Sequence, residues 1–405
     1  MGEAEGGASA VVFLVHDVTG TGGVARTVIS QANQLVKTSP VAVVSLYRRK
    51  DAPQLAVDPR IKIVYLAYQV AFEMQANGRR RRRTGPVQPI PGGDRAARDL
   101  DQQPSRLADE SVEGEMSLLT DRLIERELSK LSGGVLISTR PSLHAATAAA
   151  APHGTLLIGQ EHRDFETRSA KASMLRYLVQ TAARLDAFVT LTRADARDWE
   201  AQLAGTDTYV TSIPNALPFR HGATSTLAGK TVVAAGRLVP PKGFSRLIQA
   251  WGPVSKVAPD WTLRIFGQGE LRPSLKAQIE DEGLTETVQL MGHTENLERE
   301  LEAASVLAMS SIREGFGMVL LEAMSKGVPM VAFDCPRGPG EIVVDGRNGR
   351  LVPDGDLHGF SEALLSLITD DDARARMGAA ALEDSHLYDP EAIAARWQDL
   401  FACLR

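Results

Sequence analysis

The sequence predicts two α/β domains, each built on a doubly wound parallel sheet, and three observations carry this prediction. Short β-branched apolar runs of buried-strand type alternate with helical segments along most of the 405 residues. The length and the 43% apolar composition suit two domains of medium size better than one. The alternation breaks from Ile213 to Lys230, between two such runs of strands and helices.

The first domain is predicted to begin with a strand at Val11–Val15, a loop at His16–Gly23 and a helix from about Val24. The loop lacks the full G-x-G-x-x-G spacing and no acidic residue closes the second strand, so a dehydrogenase is disfavoured. The further elements are predicted to be strands at Val41–Leu46 and Ile61–Leu66, a helix at Ser117–Leu131, a strand at Val135–Thr139, an alanine-rich helix after Pro141, a strand at Leu156–Gly159, a helix at Arg168–Arg184, a strand at Ala187–Leu191 and a helix with Thr192 as its N-cap.

Residues 75–115 interrupt this pattern with five consecutive arginines, Arg79 to Arg83, followed by several prolines and glycines. Such a segment buries little apolar surface, and we expect it to be a partly mobile loop. The arginines are either a solvated run or a surface that attracts an anionic acceptor or a lipid headgroup.

The second domain repeats the alternation of strands and helices. After its first strand, Arg237 and Lys242 stand on one loop, where they either bracket a diphosphate or are ordinary exposed cations. The predicted elements are strands at Thr231–Gly236, Leu263–Phe266, Val288–Met291, Val306–Met309 and Val328–Asp334, a helix over Phe244–Trp251, and two or three closing helices.

The stretch from Ser310 to Gly327 carries the most specific pattern. Its glycine-rich loop Glu314-Gly315-Phe316-Gly317 separates a strand from a helix, whose first backbone N–H groups offer a seat for a phosphate. Seven residues separate Glu314 from Glu322, and a carboxylate can accept two neighbouring sugar hydroxyls. Alternatively, Glu322, Ser325 and Lys326 form only the solvated stripe of an amphipathic helix.

This stretch, EGFGMVLLEAM, resembles the E-x7-E signature of retaining nucleotide-sugar glycosyltransferases, in particular glycosyltransferase family 4 with its GT-B fold. IPN at Ile213–Asn215, GRL followed by KG within Gly236–Gly243, and T-x-x-D at Thr192–Asp195 are similar to further motifs of that family. CPRGPGE at Cys335–Glu341 departs from the commonest family version and looks closer to that of members that build wall polymers and surface glycans.

The resemblance implies two Rossmann-like domains that face an interdomain cleft. Residues 1–217 would bind the acceptor and residues 218–385 the nucleotide sugar, with a helix in residues 386–405 crossing back to the first domain. The implied site residues are, for catalysis, His162, Arg237, Lys242 and Glu314; for the donor, Gly22, Gly23, Gly292, His293, Gly315, Phe316, Gly317, Met318, Val319 and Glu322; and for the acceptor, His16, Asp17, Arg163 and Asp164. Ordinary interpretations stay open: a tight turn at Gly22-Gly23, structural polar residues at His16, Asp17 and His162, and a surface loop at His293.

The function that the resemblance implies is same-face transfer of a hexose or N-acetylhexosamine from a nucleoside diphosphate sugar, with uridine diphosphate as the expected carrier. The acceptor would be a hydroxyl of a surface glycan, wall polymer, lipid or small molecule. No cofactor and no metal are expected, because Arg237 with Lys242 can replace the cation. The alternatives are a GT-B nucleotide-sugar epimerase and a catalytically silent subunit that binds the nucleotide sugar.

Bulk properties exclude several other classes of protein. The net charge of −5 does not favour nucleic-acid binding, and two cysteines cannot form a disulfide framework. The first ten residues lack the pattern of a signal peptide, and no apolar run approaches the roughly 20 residues of a membrane span. We therefore expect a cytoplasmic protein, with peripheral membrane contact left open; the oligomeric state does not follow from the sequence.

Overall fold

The computed structural model describes residues 9–20, 22–53, 55–68, 73–74, 80–81, 95–108, 116–218 and 221–405. The chain divides into two structural units. Unit 1 holds the residues up to Ala216 together with Ile393–Arg405, and unit 2 holds Leu217–Ala392. Among the described residues no helix is both long enough and apolar enough to cross a membrane.

Unit 1 contains a parallel sheet that has seven strands within the described residues, in the order β3-β2-β1-β6-β7-β8-β9. A two-residue pair, β4 and β5, lies outside it. The strands are β1 Val11–Asp17, β2 Val41–Arg48, β3 Lys62–Tyr68, β4 Glu73–Met74, β5 Arg80–Arg81, β6 Gly134–Ser138, β7 Thr155–Gln160, β8 Ala187–Thr190 and β9 Tyr209–Ser212. The helices are α1 Gly23–Leu35, α2 Arg95–Asp101, α3 Leu118–Leu128, α4 Pro141–Ala150, α5 Phe165–Ser169, α6 Ala172–Ala182 and α7 Arg193–Gln202.

Unit 2 contains a second parallel sheet, with six strands in the order β12-β11-β10-β13-β14-β15 among the residues described. Its strands are β10 Thr231–Ala235, β11 Thr262–Phe266, β12 Val288–Gly292, β13 Val306–Met309, β14 Met330–Asp334 and β15 Gly349–Pro353. The helices that follow α7 are α8 Phe244–Val257, α9 Arg272–Asp281, α10 Leu297–Glu302, α11 Met318–Met324, α12 Pro339–Ile342, α13 Leu357–Thr369, α14 Asp371–Ser385 and α15 Pro390–Cys403, and 3-10 turns lie at Pro240–Lys242 and His386–Tyr388.

The sheet of unit 1 is covered on both faces, which explains why its strands read as continuous apolar runs. Along β1, Phe13 and its neighbours at alternate positions pack in one core, and Leu14 packs in another. The first core also contains Trp397 and Phe401 of α15. The last helix of the chain therefore supplies part of the core of unit 1, although it follows unit 2 in sequence.

Most predicted elements are present, and Thr192 is confirmed as an N-cap because its side chain accepts a hydrogen bond from the Asp195 amide. The prediction of one helix at Arg168–Arg184 is wrong. Two helices, α5 and α6, occupy this region, since α5 begins earlier, capped by the Asp164 carboxylate, and ends at Ser169. Strand β9 was not predicted at all.

Much of the predicted mobile loop at 75–115, including Arg79, Arg82 and Arg83, lies outside the described residues. Its described part is not simply a loop: Arg95–Asp101 forms α2. This short helix forms because Ala97 and Leu100 pack against the core that contains Leu14. The carboxylate of Asp121 on α3 then fixes the turn that follows by accepting a hydrogen bond from the Arg106 amide at 2.6 Å.

Candidate active site

Two loops of unit 2 bring Lys242 and Glu314 together at the carboxyl edge of the sheet, where open α/β proteins bind ligands. The first loop joins β10 to α8, and the second joins β13 to α11. The amide of Ile312 donates to the Pro241 carbonyl at 2.8 Å, and the Ser310 hydroxyl donates to the Lys242 carbonyl at 3.2 Å. These bonds hold the two loops side by side.

Glu314 is the centre of this arrangement. Its Oε1 atom accepts hydrogen bonds from Lys242 Nζ at 2.6 Å and from the Ser311 hydroxyl at 2.5 Å. The Glu314 side chain is 10% exposed and that of Lys242 is 24% exposed, so the ion pair is largely shielded from water. Such shielding strengthens the electrostatic interaction relative to a surface pair. Arg237 lies on the same loop as Lys242 and is exposed.

Hydrogen bonds and close packing also fix the backbone at Glu314 and in the loop that follows it. The Glu314 amide donates to the Pro336 carbonyl at 2.9 Å, and the Glu314 carbonyl accepts from the Arg337 amide at 2.8 Å. A Cβ atom at Gly338, whose φ is +95°, would lie 2.0 Å from the Phe316 carbonyl oxygen. Phe316 is buried and its ring meets that of Tyr388 edge-on. The loop Gly315–Gly317 is therefore fixed by its neighbours.

Helix α11 begins at Met318, directly after Gly317, whose φ of +100° is a conformation that favours glycine. Met318 and Val319, two of the predicted donor residues, lie in its first turn. The alternative of a solvated stripe is wrong. Glu322 is 6% exposed and both Ser325 and Lys326 are 0% exposed, so this helix face is inside the protein.

The predicted donor residues Gly292 and His293 lie at the carboxyl end of β12 in unit 2. Gly292 closes β12 with a φ of +83°, and its carbonyl accepts from the Gly267 amide at 2.7 Å. His293, the next residue, is exposed. Gly267, which follows β11, has a packing role, because a Cβ atom there would lie 1.8 Å from the Gly236 carbonyl oxygen.

Unit 1 contains a cavity of about 330 Å³, and most of the remaining candidate site residues line it. Its floor is formed where β1, β6 and β7 end, as expected for the carboxyl edge of a parallel sheet. The side chains that matter for the site are those of His16, Asp17, Arg49, Arg140, His162 and Arg163. Gly22 also lines the cavity.

Gly22 and Gly23 are not explained by a tight turn. Gly22 is the N-cap of α1 with extended backbone angles, and neither glycine has a positive φ. A Cβ atom at either position would meet nothing within 4 Å. The described structure therefore has room for a side chain, or for a ligand, at the N-terminus of α1.

His162 follows Glu161, which sequence reasoning missed. Glu161 is 1% exposed and forms a bidentate ion pair with Arg168, with both distances at 2.8 Å. Burial alone would raise the pKa of Glu161, but the charge of Arg168 and its hydrogen bonds lower it, so the group stays ionised. Glu161 also accepts from the His162 amide at 2.9 Å and thereby orients the histidine segment.

Burial lowers the pKa of His162 to about 4, against the opposing effect of the Glu161 charge. The imidazole is therefore neutral at neutral pH. Within the described residues its Nε2 atom is buried and makes no hydrogen bond to the protein. A neutral ring of this kind can donate or accept one hydrogen bond to a sugar hydroxyl.

The predicted acceptor residues have different roles in unit 1. Asp164 is buried, and both of its oxygens accept hydrogen bonds from Thr167, which makes it the cap of α5. Asp17 accepts from the Thr19 amide at 2.9 Å and from its hydroxyl at 2.6 Å. His16 is buried edge-on to the Tyr47 ring, whereas Arg163 is exposed. Of the four, Arg163 is the most accessible to a ligand.

The structure also shows the surroundings of Cys335, Ser311 and Arg168. Cys335 is buried, and burial raises the pKa of its thiol to about 12, so it packs as a small residue and is no nucleophile. Ser311 and Arg168 were not predicted to matter. Nothing in their sequence neighbourhood distinguishes them, because their partners Glu314 and Glu161 are set by the folded backbone.

Comparison with known proteins identifies the family. Residues 223–384 match the family described as glycosyl transferases group 1. AmsD, an amylovoran biosynthesis glycosyltransferase of Erwinia amylovora, is 32% identical over 251 residues, which are 60% of this chain and 69% of that protein. The chain belongs to the group 1 glycosyltransferases. It is accordingly an enzyme of the transferase class.

Two other comparisons extend over nearly the whole chain of this group 1 glycosyltransferase. An exopolysaccharide phosphotransferase of Streptomyces coelicolor is 33% identical over 396 residues, 96% of this chain, but the chain spans only 40% of that protein. A crystal structure of TarM from S. aureus, in complex with UDP among other ligands, has a TM-score of 0.72 at 18% identity and covers 97% of the chain. That likeness concerns the fold and confirms the predicted GT-B class of two Rossmann-like domains.

Proposed function

We propose that this group 1 glycosyltransferase is a retaining, family 4 enzyme that transfers a hexose or N-acetylhexosamine from a UDP-sugar to a hydroxyl of a surface glycan or wall polymer. Unit 2 binds the donor and unit 1 binds the acceptor. The observation that carries the proposal is the shielded pair of Lys242 and Glu314 on adjoining loops, with Arg237 on the same edge of the sheet.

The proposed transfer depends on how the protein stabilises the charge of the leaving group. As the glycosidic bond breaks, negative charge develops on the departing diphosphate, and Arg237 and Lys242 lie where two cations can neutralise it. Arg237 offers a planar fork of donors and Lys242 a compact charge. The amides at the start of α11 add further donors. Since these groups supply the positive charge, we propose that transfer needs no metal ion and no other cofactor.

For a retaining enzyme, the state of the carboxylates favours a same-face displacement over a double displacement. A double displacement needs a carboxylate that is available as a nucleophile. Glu314 is already engaged by Lys242 and Ser311. Glu322 lies buried within α11, as the proposed ribose ligand. A same-face displacement guided by the leaving diphosphate requires neither group to attack the sugar.

The substrates are proposed from the named relatives. TarM was crystallised with UDP, and AmsD is named for the biosynthesis of a polysaccharide. An α-N-acetylglucosaminyltransferase of S. aureus, 27% identical over 241 residues, acts by its name on the polymer poly(ribitol-phosphate). These names support a UDP-sugar donor and a polymeric acceptor for this chain.

A second candidate is phosphoryl transfer, favoured by the name of the Streptomyces relative. That name describes a protein of which this chain spans 40%, whereas the family match of this chain is to glycosyl transferases. The reactions differ in their products. Glycosyl transfer from a UDP-sugar releases UDP, while transfer of the sugar phosphate releases UMP and leaves a phosphodiester that ³¹P NMR detects.

The test uses a panel of UDP-, GDP- and ADP-sugars with glycan and polymer acceptors, and it follows the released nucleotide. Lys242→Ala and Arg237→Ala should each lower kcat by about 10²–10³, since each removes one group that stabilises developing charge. Lys276→Ala is the matched control, because Lys276 is an exposed lysine on α9 that pairs with Glu280. Parent-like turnover in both site variants would refute the proposal.

The same assay separates the remaining alternatives. An epimerase would isomerise the sugar nucleotide without an acceptor, and a silent binding subunit would bind the donor without hydrolysis or transfer. Full activity in the presence of a chelator would support metal independence, and a strict requirement for Mg²⁺ or Mn²⁺ would refute it.

A further inference from the structure

A second cluster of reactive side chains lies in unit 2, formed by residues outside the candidate active site: His221, His386 and Asp389. His221 Nε2 lies 2.7 Å from Asp389 Oδ1, and His386 Nδ1 lies 2.9 Å from Asp389 Oδ2. The two imidazole rings are close and tilted, with centroids 4.3 Å apart and planes inclined by 35°. One carboxylate thus bridges two histidines.

The fold builds this cluster from two distant segments. His386 begins the 3-10 turn that follows α14 and Asp389 directly follows that turn, so their spacing of three residues places both on one side of it. His221 comes from the segment with which unit 2 begins, 168 residues before Asp389. The Leu217 amide donates to the Tyr388 carbonyl at 2.8 Å and holds the two segments together.

Two imidazole nitrogens and a carboxylate are a ligand set that suits Zn²⁺ and related divalent transition metals. One ligand atom from each residue can be chosen so that all three lie within 4.8 Å of one another. At a tetrahedral ion with metal–ligand distances of about 2.0–2.2 Å, neighbouring ligand atoms are about 3.3 Å apart. Small side-chain rotations therefore suffice to place an ion between the three groups.

The exposure of the cluster also fits such an ion. The side chains of His221, Asp389 and His386 are 26%, 28% and 58% exposed. An ion can enter from solvent, and water can complete its coordination shell. Because the ligands lie near the first and last residues of unit 2, a bound ion would close a loop of almost the whole unit, which favours the folded state.

We infer that His221, His386 and Asp389 form a structural binding site for a divalent transition metal, with Zn²⁺ as the best match. The ion ties the segment that enters unit 2 to the segment that leaves it. It is separate from sugar transfer, which the loops of Lys242 and Glu314 perform without a metal.

The test is titration of the metal-stripped, tag-free protein with Co²⁺, whose visible absorption reports its coordination, followed by competition with Zn²⁺. One Co²⁺ per chain should bind, and Zn²⁺ at about 100-fold above its Kd should raise Tm by about 5 °C. Loss of a ligand in His221→Ala, His386→Ala or Asp389→Asn should weaken binding by at least about 100-fold. His358→Ala is the matched control, because His358 pairs with Glu362 on α13 and is 84% exposed.

Equal binding by the parent, His221→Ala and His386→Ala proteins would overturn the inference, as would the absence of Co²⁺ absorption in the parent. Loss of binding in Cys403→Ser, which removes the exposed thiol, would assign the ion to that cysteine and also overturn it. Circular dichroism in chelator separates failure to fold from failure to bind. His386→Ala alone decides the outcome if His221→Ala does not fold, since His386 is the more exposed ligand.

Discussion

His144 shows how one buried side chain makes stability depend on pH. It is 0% exposed, with Nδ1 at 2.7 Å from the Ser138 hydroxyl and its ring edge-on to Phe188. Burial lowers its pKa to about 3. The native state therefore keeps the ring neutral, whereas the unfolded chain takes up a proton below about pH 6.5.

We predict that the free energy of unfolding falls with acidification because of this residue. Its contribution is fully present above the unfolded pKa of about 6.5 and is lost as pH falls toward 3, by up to about 1.4 kcal/mol per pH unit. Urea unfolding at a series of pH values measures it. His144→Gln should flatten the profile between about pH 6 and pH 4, while the exposed His358→Gln should not. Parallel profiles for the parent and His144→Gln would contradict the prediction.

At the scale of single residues, the sequence singled out candidate residues but not their contacts. The pattern EGFGMVLLE singled out Glu314, and the folded loops do place it against Lys242, 72 residues earlier. Neither Ser311 nor Arg168 was predicted, since a serine or arginine gains its role only from the carboxylate that the fold places beside it. Asp164 was predicted to face an acceptor, and the structure shows that it caps α5.

The fold itself does not require the two glycines at the start of α1, Gly22 and Gly23. We predict that Gly23→Ala leaves Tm unchanged, because its φ is not positive and nothing lies within 4 Å of the added Cβ atom. Turnover should nevertheless fall by about tenfold or more if donor phosphate approaches these amides, since the methyl group occupies that space. Thermal unfolding and steady-state kinetics give the two readouts.

Gly338→Ala is the contrasting variant. Its φ of +95° and the Phe316 carbonyl oxygen at 2.0 Å from the added Cβ atom make the substitution strained, so Tm should fall. Full turnover in Gly23→Ala would show that α1 does not receive a phosphate.

The junction of β7 with α5 depends on the ion pair of Glu161 and Arg168. We predict that Arg168→Ala costs about 3–5 kcal/mol of unfolding free energy, because it leaves the 1%-exposed Glu161 carboxylate without its partner. Glu161→Gln combined with Arg168→Met should cost less than Arg168→Ala alone, since no buried charge remains. Denaturant unfolding of Glu161→Gln, Arg168→Met and their double variant provides a double-mutant cycle, and additive losses would contradict the predicted coupling.

Helices and strands could be predicted where a clear pattern of apolar residues marked them. They could not be predicted where that pattern was missing or did not show a break. The strands β1, β2, β10 and β13 are short apolar runs and appear where expected. The break between α5 and α6 falls at Ala170-Lys171, residues that suit a helix, so periodicity could not reveal it. Strand β9 escaped because its residues are partly exposed and carry no apolar alternation.

The whole molecule is organised so that the chain leaves unit 1 at Ala216 and returns to it at Ile393. Trp397 on α15 is 0% exposed and belongs to the same core as Val11, Phe13 and Val15 of β1. Removing this side chain creates a cavity in a core whose other members lie mainly in the first half of the sequence. Its effect should therefore appear in unit 1 and not in unit 2, which precedes it directly along the chain.

We predict that Trp397→Ala lowers the stability of unit 1 by about 3–5 kcal/mol, the range for truncation of a buried aromatic side chain. Hydrogen exchange followed by mass spectrometry should show faster exchange in β1, β2 and β6, with β10 and β13 unchanged. Trp251→Ala is the matched control, because Trp251 is equally buried but packs in the core of unit 2, where it should produce the opposite pattern. Faster exchange in β10 and β13 of the Trp397 variant would show instead that the two units unfold as one.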